Sequence, residues 1–109
     1  MRLTDVLPNL TNFIEERADT FPEMLTQVVL FGSFAKGTAR VGSDIDIALV
    51  SHESWNFEDR YTVRDIFEDF DCGSELSFFF TSENGLESGD KNNANYWIRK
   101  EGVQLWKRN

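Results

Sequence analysis

The sequence predicts an α/β (α+β) domain, a small mixed β-sheet with helices packed on one face. Stretches with helical three- and four-residue spacing alternate along the chain with short β-branched or aromatic runs. Gly, Pro, Asn and Asp punctuate those runs. With 109 residues, ten Phe and three Trp, the chain has material for one two-layer core. No linker, repeat or low-complexity tract divides it, so a single domain is expected over residues 1–109.

Leu3, Val6, Leu7, Leu10, Phe13 and Ile14 recur at helical steps, with Thr4 or Asp5 able to cap the start and Pro8 tolerable in a first turn. An amphipathic helix therefore ends before Pro22. Residues 27–31, QVVLF, read as a buried strand that Gly32 stops. Residues 33–43 mix Gly37 and Gly42 with small and basic residues, which suits a loop with one helical turn after Gly32. Residues 44–50, DIDIALV, form a second strand. Tyr61, Arg64, Ile66, Phe67 and Phe70 predict a helix over about residues 58–69, closed by Asp71, Gly73 and Ser74. A third strand follows over residues 75–81, ELSFFFT, and then a polar stretch over residues 82–93. The last helix spans about residues 94–101 and stops at Gly102 as a C-cap, leaving residues 103–106 for an edge strand.

The formal net charge of −8 argues against a broad nucleic-acid surface, because neutralising phosphates needs a basic face. A narrow nucleotide pocket stays compatible with it. The N-terminus carries no apolar leader pattern, and no apolar run approaches the roughly 20 residues of a membrane-spanning helix. A soluble, cytoplasmic protein is expected. Cys72 is the sole cysteine, with neither a disulfide partner nor zinc-ligand neighbours at the usual spacing.

One stretch demands a chemical explanation. Asp44 and Asp46 enter an apolar run, Ile45, Ile47, Ala48, Leu49 and Val50, with no Lys or Arg beside them in sequence. Buried charge is costly unless something neutralises it. Strand alternation puts both aspartates on one face, their α-carbons roughly 6.5 to 7 Å apart, so both carboxylates can converge on a hard cation. Oxygen-only ligation indicates Mg²⁺ or Mn²⁺, and Mg²⁺ commonly binds one or two carboxylates plus substrate phosphates. Gly32 and Ser33, directly after a strand, offer a phosphate cradle of backbone N–H groups and a hydroxyl, and Lys36 follows one turn later. Each piece alone has a plain alternative: a strand-entry turn for the aspartates, an ordinary turn for Gly32 and Ser33, a solvated side chain for Lys36. Together they describe a metal–nucleotide site. Walker, dinucleotide and nucleophile-elbow patterns are absent.

The run G32-S33-F34-A35-K36-G37 followed by S43-D44-I45-D46 resembles the signature of the minimal nucleotidyltransferases of the DNA polymerase beta superfamily. The resemblance implies the nucleotidyltransferase fold and transfer of a nucleoside monophosphate, AMP from ATP, to an acceptor hydroxyl by two-metal catalysis. It also implies roles. Gly32, Ser33, Lys36 and Ser43 would hold the nucleotide, while Asp44 and Asp46 would ligate Mg²⁺ or Mn²⁺. A third carboxylate, placed at Glu75 with Asp71 and Asp69 ahead of the strand as fallbacks, would complete the metal set and activate the nucleophile. Glu is one methylene longer than the family's Asp there. Phe79 shares a strand face with Glu75 and Ser77 and could lie near a base. The resemblance also implies a partner, since small stand-alone members of the family are often antitoxins paired with a helical HEPN-type toxin, which some of them modify with AMP. Eight acids against two arginines between Glu53 and Glu75 would suit a basic partner. Two alternatives stand beside this reading: a non-catalytic antitoxin that neutralises its partner by binding, and an aminoglycoside-type modifier, for which the chain has little room.

Overall fold

The computed structural model describes residues 3–109, with the backbone alone at residues 3 and 4, so the Leu3 contact and the Thr4 cap lie outside the described side chains. In chain order the elements are α1 (Leu3–Arg17), β1 (Leu25–Phe31), α2 (Gly32–Lys36), β2 (Ile45–Ser51), α3 (Phe57–Phe67), β3 (Leu76–Ser82), α4 (Ala94–Glu101) and β4 (Val103–Lys107). Short 3₁₀ turns follow α1 at Ala18–Thr20 and β3 at Gly85–Glu87.

The four strands form one sheet in the order β3-β2-β1-β4. β1 runs antiparallel to β2 and β4, and β2 runs parallel to β3, so the sheet is mixed as expected. A parallel neighbour requires a crossover, and α3 supplies it. Val6, Leu10 and Ile14 of α1, with Val63 and Phe67 of α3, bury against Val28, Leu30, Ile45, Ile47 and Leu49. The other face is covered only in part, where Ile98 of α4 meets Val29, Ala48 and Val50.

That packing fixes which way the aspartates point. Ile45, Ile47 and Leu49 are fully buried under α1 and α3. A one-residue slip of β2 would turn all three to the opposite face. At about 1.5 to 3 kcal/mol for each buried side chain, such a slip forfeits an amount comparable with the whole stability of a domain, about 5 to 15 kcal/mol. Asp46 is thereby held on the face that α1 and α3 leave open.

Several local expectations shift. Residues 4 and 5 lie inside the first turn of α1 rather than ahead of it, and Pro8 falls in the helix interior. β1 begins at Leu25, which pairs with Ser51 and whose N–H closes a turn on the Pro22 carbonyl at 3.0 Å. β2 and β3 each start one residue later than the pattern suggested, at Ile45 and Leu76. Gly102 does cap α4, but in an extended conformation (φ −68°, ψ 151°) rather than the left-handed one. Its requirement is space: a Cβ there would sit 2.3 Å from the Ile98 carbonyl oxygen and 2.5 Å from Val29 Cγ1. Glycine thus lets α4 lie close on the sheet. Among the described residues no helix is long and apolar enough to cross a membrane.

Candidate functional site

β1 ends at Phe31, whose register partner on β2 is Asp46. Gly32 then turns the chain with φ +73°, a conformation that L-residues resist, and opens the single-turn helix α2. A Cβ on Gly32 would come 2.1 Å from Asp46 Oδ2, so the carboxylate lies directly over the glycine backbone. Gly37, in the left-handed conformation, ends α2, and the Thr38 N–H closes on the Ser33 carbonyl at 2.9 Å. Phe31 gives α2 no side-chain cap. The Ser33 hydroxyl, half-buried, makes no hydrogen bond among the described residues.

Asp44 is exposed immediately before β2, and Asp46 is half-buried within it. Burial raises the Asp46 carboxyl above its ordinary range, the neighbouring Asp44 charge raises it further, and a hydrogen bond with Ser77 opposes both. No cation relieves the pair: among the described residues neither aspartate reaches a Lys, Arg or His at ion-pair distance. Two carboxylates side by side without a counter-charge, beside a glycine turn that any Cβ would block, fit a hard divalent cation shared with phosphate oxygens. Such an ion would be held by Asp44 and Asp46.

The remaining predicted residues are placed less centrally. Ser43 lies in the loop before Asp44, where its hydroxyl accepts from the Arg40 N–H at 2.9 Å and its own N–H donates to the Arg40 carbonyl at 2.9 Å. That exchange sets the angle at which the chain enters β2. Lys36 turns toward α4, its Nζ 3.6 Å from Glu101 Oε2. Glu75 is exposed one residue ahead of β3, and its carbonyl accepts from the Ile45 N–H at 2.8 Å. It borders a cavity of about 420 Å³ shared with Arg64, Glu68 and Phe70. Among the described residues no three Asp, Glu, His or Cys side chains gather as ion ligands, so Glu75 is not brought together with the two aspartates. The β3 residue level with Asp46 is Ser77, and it is the one hydrogen-bonded to it. Sequence reasoning put Ser77 on the right face without giving it a role, because only the β2–β3 register shows which residue stands beside Asp46.

A family model described as Polymerase beta, Nucleotidyltransferase matches residues 12–109. Sequence comparison with curated proteins gives no match. Among solved structures, the chain is similar to a protein from Sulfolobus solfataricus assigned provisionally as a nucleotidyltransferase. The two share 28% identity over 97% of this chain and 84% of that one, with a TM-score of 0.62. It is also similar to a chain of a toxin–antitoxin complex with AMP-PNP, at 26% identity, 90% and 73% coverage and a TM-score of 0.58. A chain of the tri-AMPylated Shewanella oneidensis HEPN toxin in complex with its MNT antitoxin shares the fold, at 20% identity, 93% and 71% coverage and a TM-score of 0.53.

Proposed function

Because the chain belongs to the polymerase beta nucleotidyltransferase family, we propose that it transfers AMP from ATP to a hydroxyl on a partner protein, acting as an antitoxin toward a HEPN-type toxin. The observation that carries this is the seating of the Asp46 carboxylate over Gly32, which joins a place for divalent ions to a place for phosphates. Toxin–antitoxin complexes among the similar structures, one holding AMP-PNP and one carrying AMP on the toxin, support the choice of nucleotide and partner. ATP and Mg²⁺ together suit a cytoplasmic setting.

In this reading the Gly32 and Ser33 N–H groups and the Ser33 hydroxyl donate to phosphate oxygens. Lys36 leaves Glu101 to neutralise the outer phosphates. Ser43 holds the loop that aims Asp44, and Asp44 and Asp46 hold Mg²⁺ or Mn²⁺, two ions when the site is full. When bound, the metal supplies charge neutralisation and Lewis acidity at the phosphates. The acceptor oxygen attacks the α-phosphorus, the bond to pyrophosphate breaks, and the acceptor proton goes to Glu75, swung in from the mouth of β3. The acidic face around α3 meets the partner, where Glu58, Asp65 and Glu68 are exposed and Arg60 and Arg64 lie over the Phe80 and Phe78 rings.

A second reading has one observation in its favour: Ser77, not a carboxylate, is the neighbour of Asp46 on β3. A protein that binds nucleotide and partner without transfer would tolerate that. The two readings separate when the purified protein is incubated with Mg-ATP and a HEPN-type partner and the partner is weighed by mass spectrometry. Transfer predicts an AMP adduct on the partner, reduced about a hundredfold or more in Glu75→Gln with nucleotide binding retained. A stable complex with no adduct for any nucleotide establishes the binder.

A further inference from the structure

Lys36 and Glu101 flank a cavity of about 230 Å³ between α2 and α4, lined by Phe31, Gly32, Lys36, Ala94, Trp97 and Glu101. It is smaller than the roughly 300 to 1,000 Å³ of sites that take a whole ligand, which leaves room for one ring system. Gly32 is part of its wall, so the cavity borders the place proposed for the triphosphate. Building on that reading, we infer that this cavity receives the base of the nucleotide, with Trp97 as its stacking platform and Glu101 as the acceptor for an exocyclic amino group.

Three features of α4 carry the inference. Only Ile98 among its residues is fully buried, so the helix does not need Trp97 for its own packing. Trp97 remains 38% exposed, yet its ring is held, because Nε1–H donates to the Lys91 carbonyl at 2.7 Å. Its face is turned into the cavity: Lys36 Nζ stands over the ring, 5.9 Å from the centroid. A fixed, half-open indole costs little ordering when a base stacks on it. Glu101 Oε2 is occupied by Lys36 at 3.6 Å, an exposed pair of the kind that contributes little. Once Lys36 moves to the phosphates, the carboxylate faces the cavity with both oxygens free to accept. Adenine, cytosine and guanine can donate to it; uracil carries no amino group.

The test is a binding titration of the full chain with Mg-ATP, Mg-UTP and Mg-tripolyphosphate, for the wild type and for Trp97→Ala, Trp97→Phe and Glu101→Gln, each checked for folding by circular dichroism. ATP is expected to bind about five- to a hundredfold more tightly than tripolyphosphate, the range of one base stacked on an aromatic ring. Trp97→Ala removes that advantage, Trp97→Phe keeps most of it, and neither changes tripolyphosphate. Glu101→Gln narrows the preference for ATP over UTP. Equal affinity for ATP and tripolyphosphate in the wild type, or ATP affinity untouched in Trp97→Ala, overturns the base cavity and leaves the phosphate site standing. Absence of binding by both ligands overturns the phosphate site, and the base cavity with it. Should Trp97→Ala misfold, the preference for ATP over UTP decides in its place: unchanged in Glu101→Gln, it overturns the base cavity.

Discussion

Under the proposed function, Asp46→Asn is expected to lower nucleotidyl transfer at least about a thousandfold, and in metal-free buffer near neutral pH to make the protein more stable. Both effects come from one carboxylate. Burial, then the Asp44 charge, raises its pKa, so the folded protein holds the Asp46 proton more tightly than the unfolded chain does. A group raised in this way favours the fold below its ordinary value, and that contribution is lost as pH rises through the folded value. At neutral pH the wild type carries an ionised Asp46 at a cost. Asn is nearly isosteric, and its amide oxygen still accepts from Ser77, so the substitution removes the cost without opening a cavity. Thermal melts of wild type and variant should therefore differ near pH 7 in favour of the variant and converge in the acid range below the ordinary carboxylate value. The order reverses with ligand. Mg-nucleotide at a hundred times its dissociation constant stabilises the wild type by about 2.7 kcal/mol, and the variant gains far less. A variant no more stable than wild type without metal would show that the pair is not under strain.

Gly32→Ala produces the second large effect and separates folding from function. The added Cβ meets no backbone; it meets the Asp46 side chain, 2.1 Å from Oδ2 and 3.2 Å from Cβ. The carboxylate can swing away, and a shift of a few tenths of an ångström eases the contact with Asp46 Cβ. What persists is the φ of +73°, which costs an L-residue roughly 1 to 2 kcal/mol. Urea denaturation is expected to show a modest loss of that size. Nucleotide binding should fall much further, because the relief displaces the carboxylate proposed to hold metal and puts a methyl group where phosphates would approach. Binding retained at wild-type affinity in a folded Gly32→Ala protein would mean that the phosphates sit elsewhere. Gly37 and Gly42 also have positive φ, but a Cβ at either meets nothing within 4 Å, so Ala there tests the backbone penalty alone.

The parts of the site that sequence made legible are local ones. The DIDIALV run shows its own alternation, and the burial of Ile45, Ile47 and Leu49 follows from it. Gly32 and Ser33 stand at the end of a recognisable strand, so the turn and the single helical turn after it were readable too. What could not be read depends on how distant segments meet. Ser77 lies beside Asp46 only because β2 and β3 pair in one particular register, set by Ile45 opposite Leu76. Lys36 and Glu101 come together because α4 returns across the face of the sheet that α1 and α3 leave open, 65 positions along the chain. Gly102 was readable as the C-cap of the last helix, but not the reason for it: a Cβ there would meet the Ile98 carbonyl and also Val29, a residue far away in sequence. Within the FFF run of β3, by contrast, the strand alternation was itself enough to set Phe79 apart from its two neighbours. Phe78 and Phe80 pack on the helical side, and Phe79 stands on the other face, edge-on to Phe31 at 6.2 Å.

The central claim is that Asp44 and Asp46 act with Gly32 and Ser33 as one site for a metal-bound polyphosphate. Calorimetric titration of ATP into the wild type and into the Asp44→Asn/Asp46→Asn double variant, each with and without Mg²⁺, tests it most directly. The account predicts saturable binding by the wild type that requires Mg²⁺, and loss of that requirement together with most of the affinity in the double variant. Equal ATP affinity in all four titrations would contradict it.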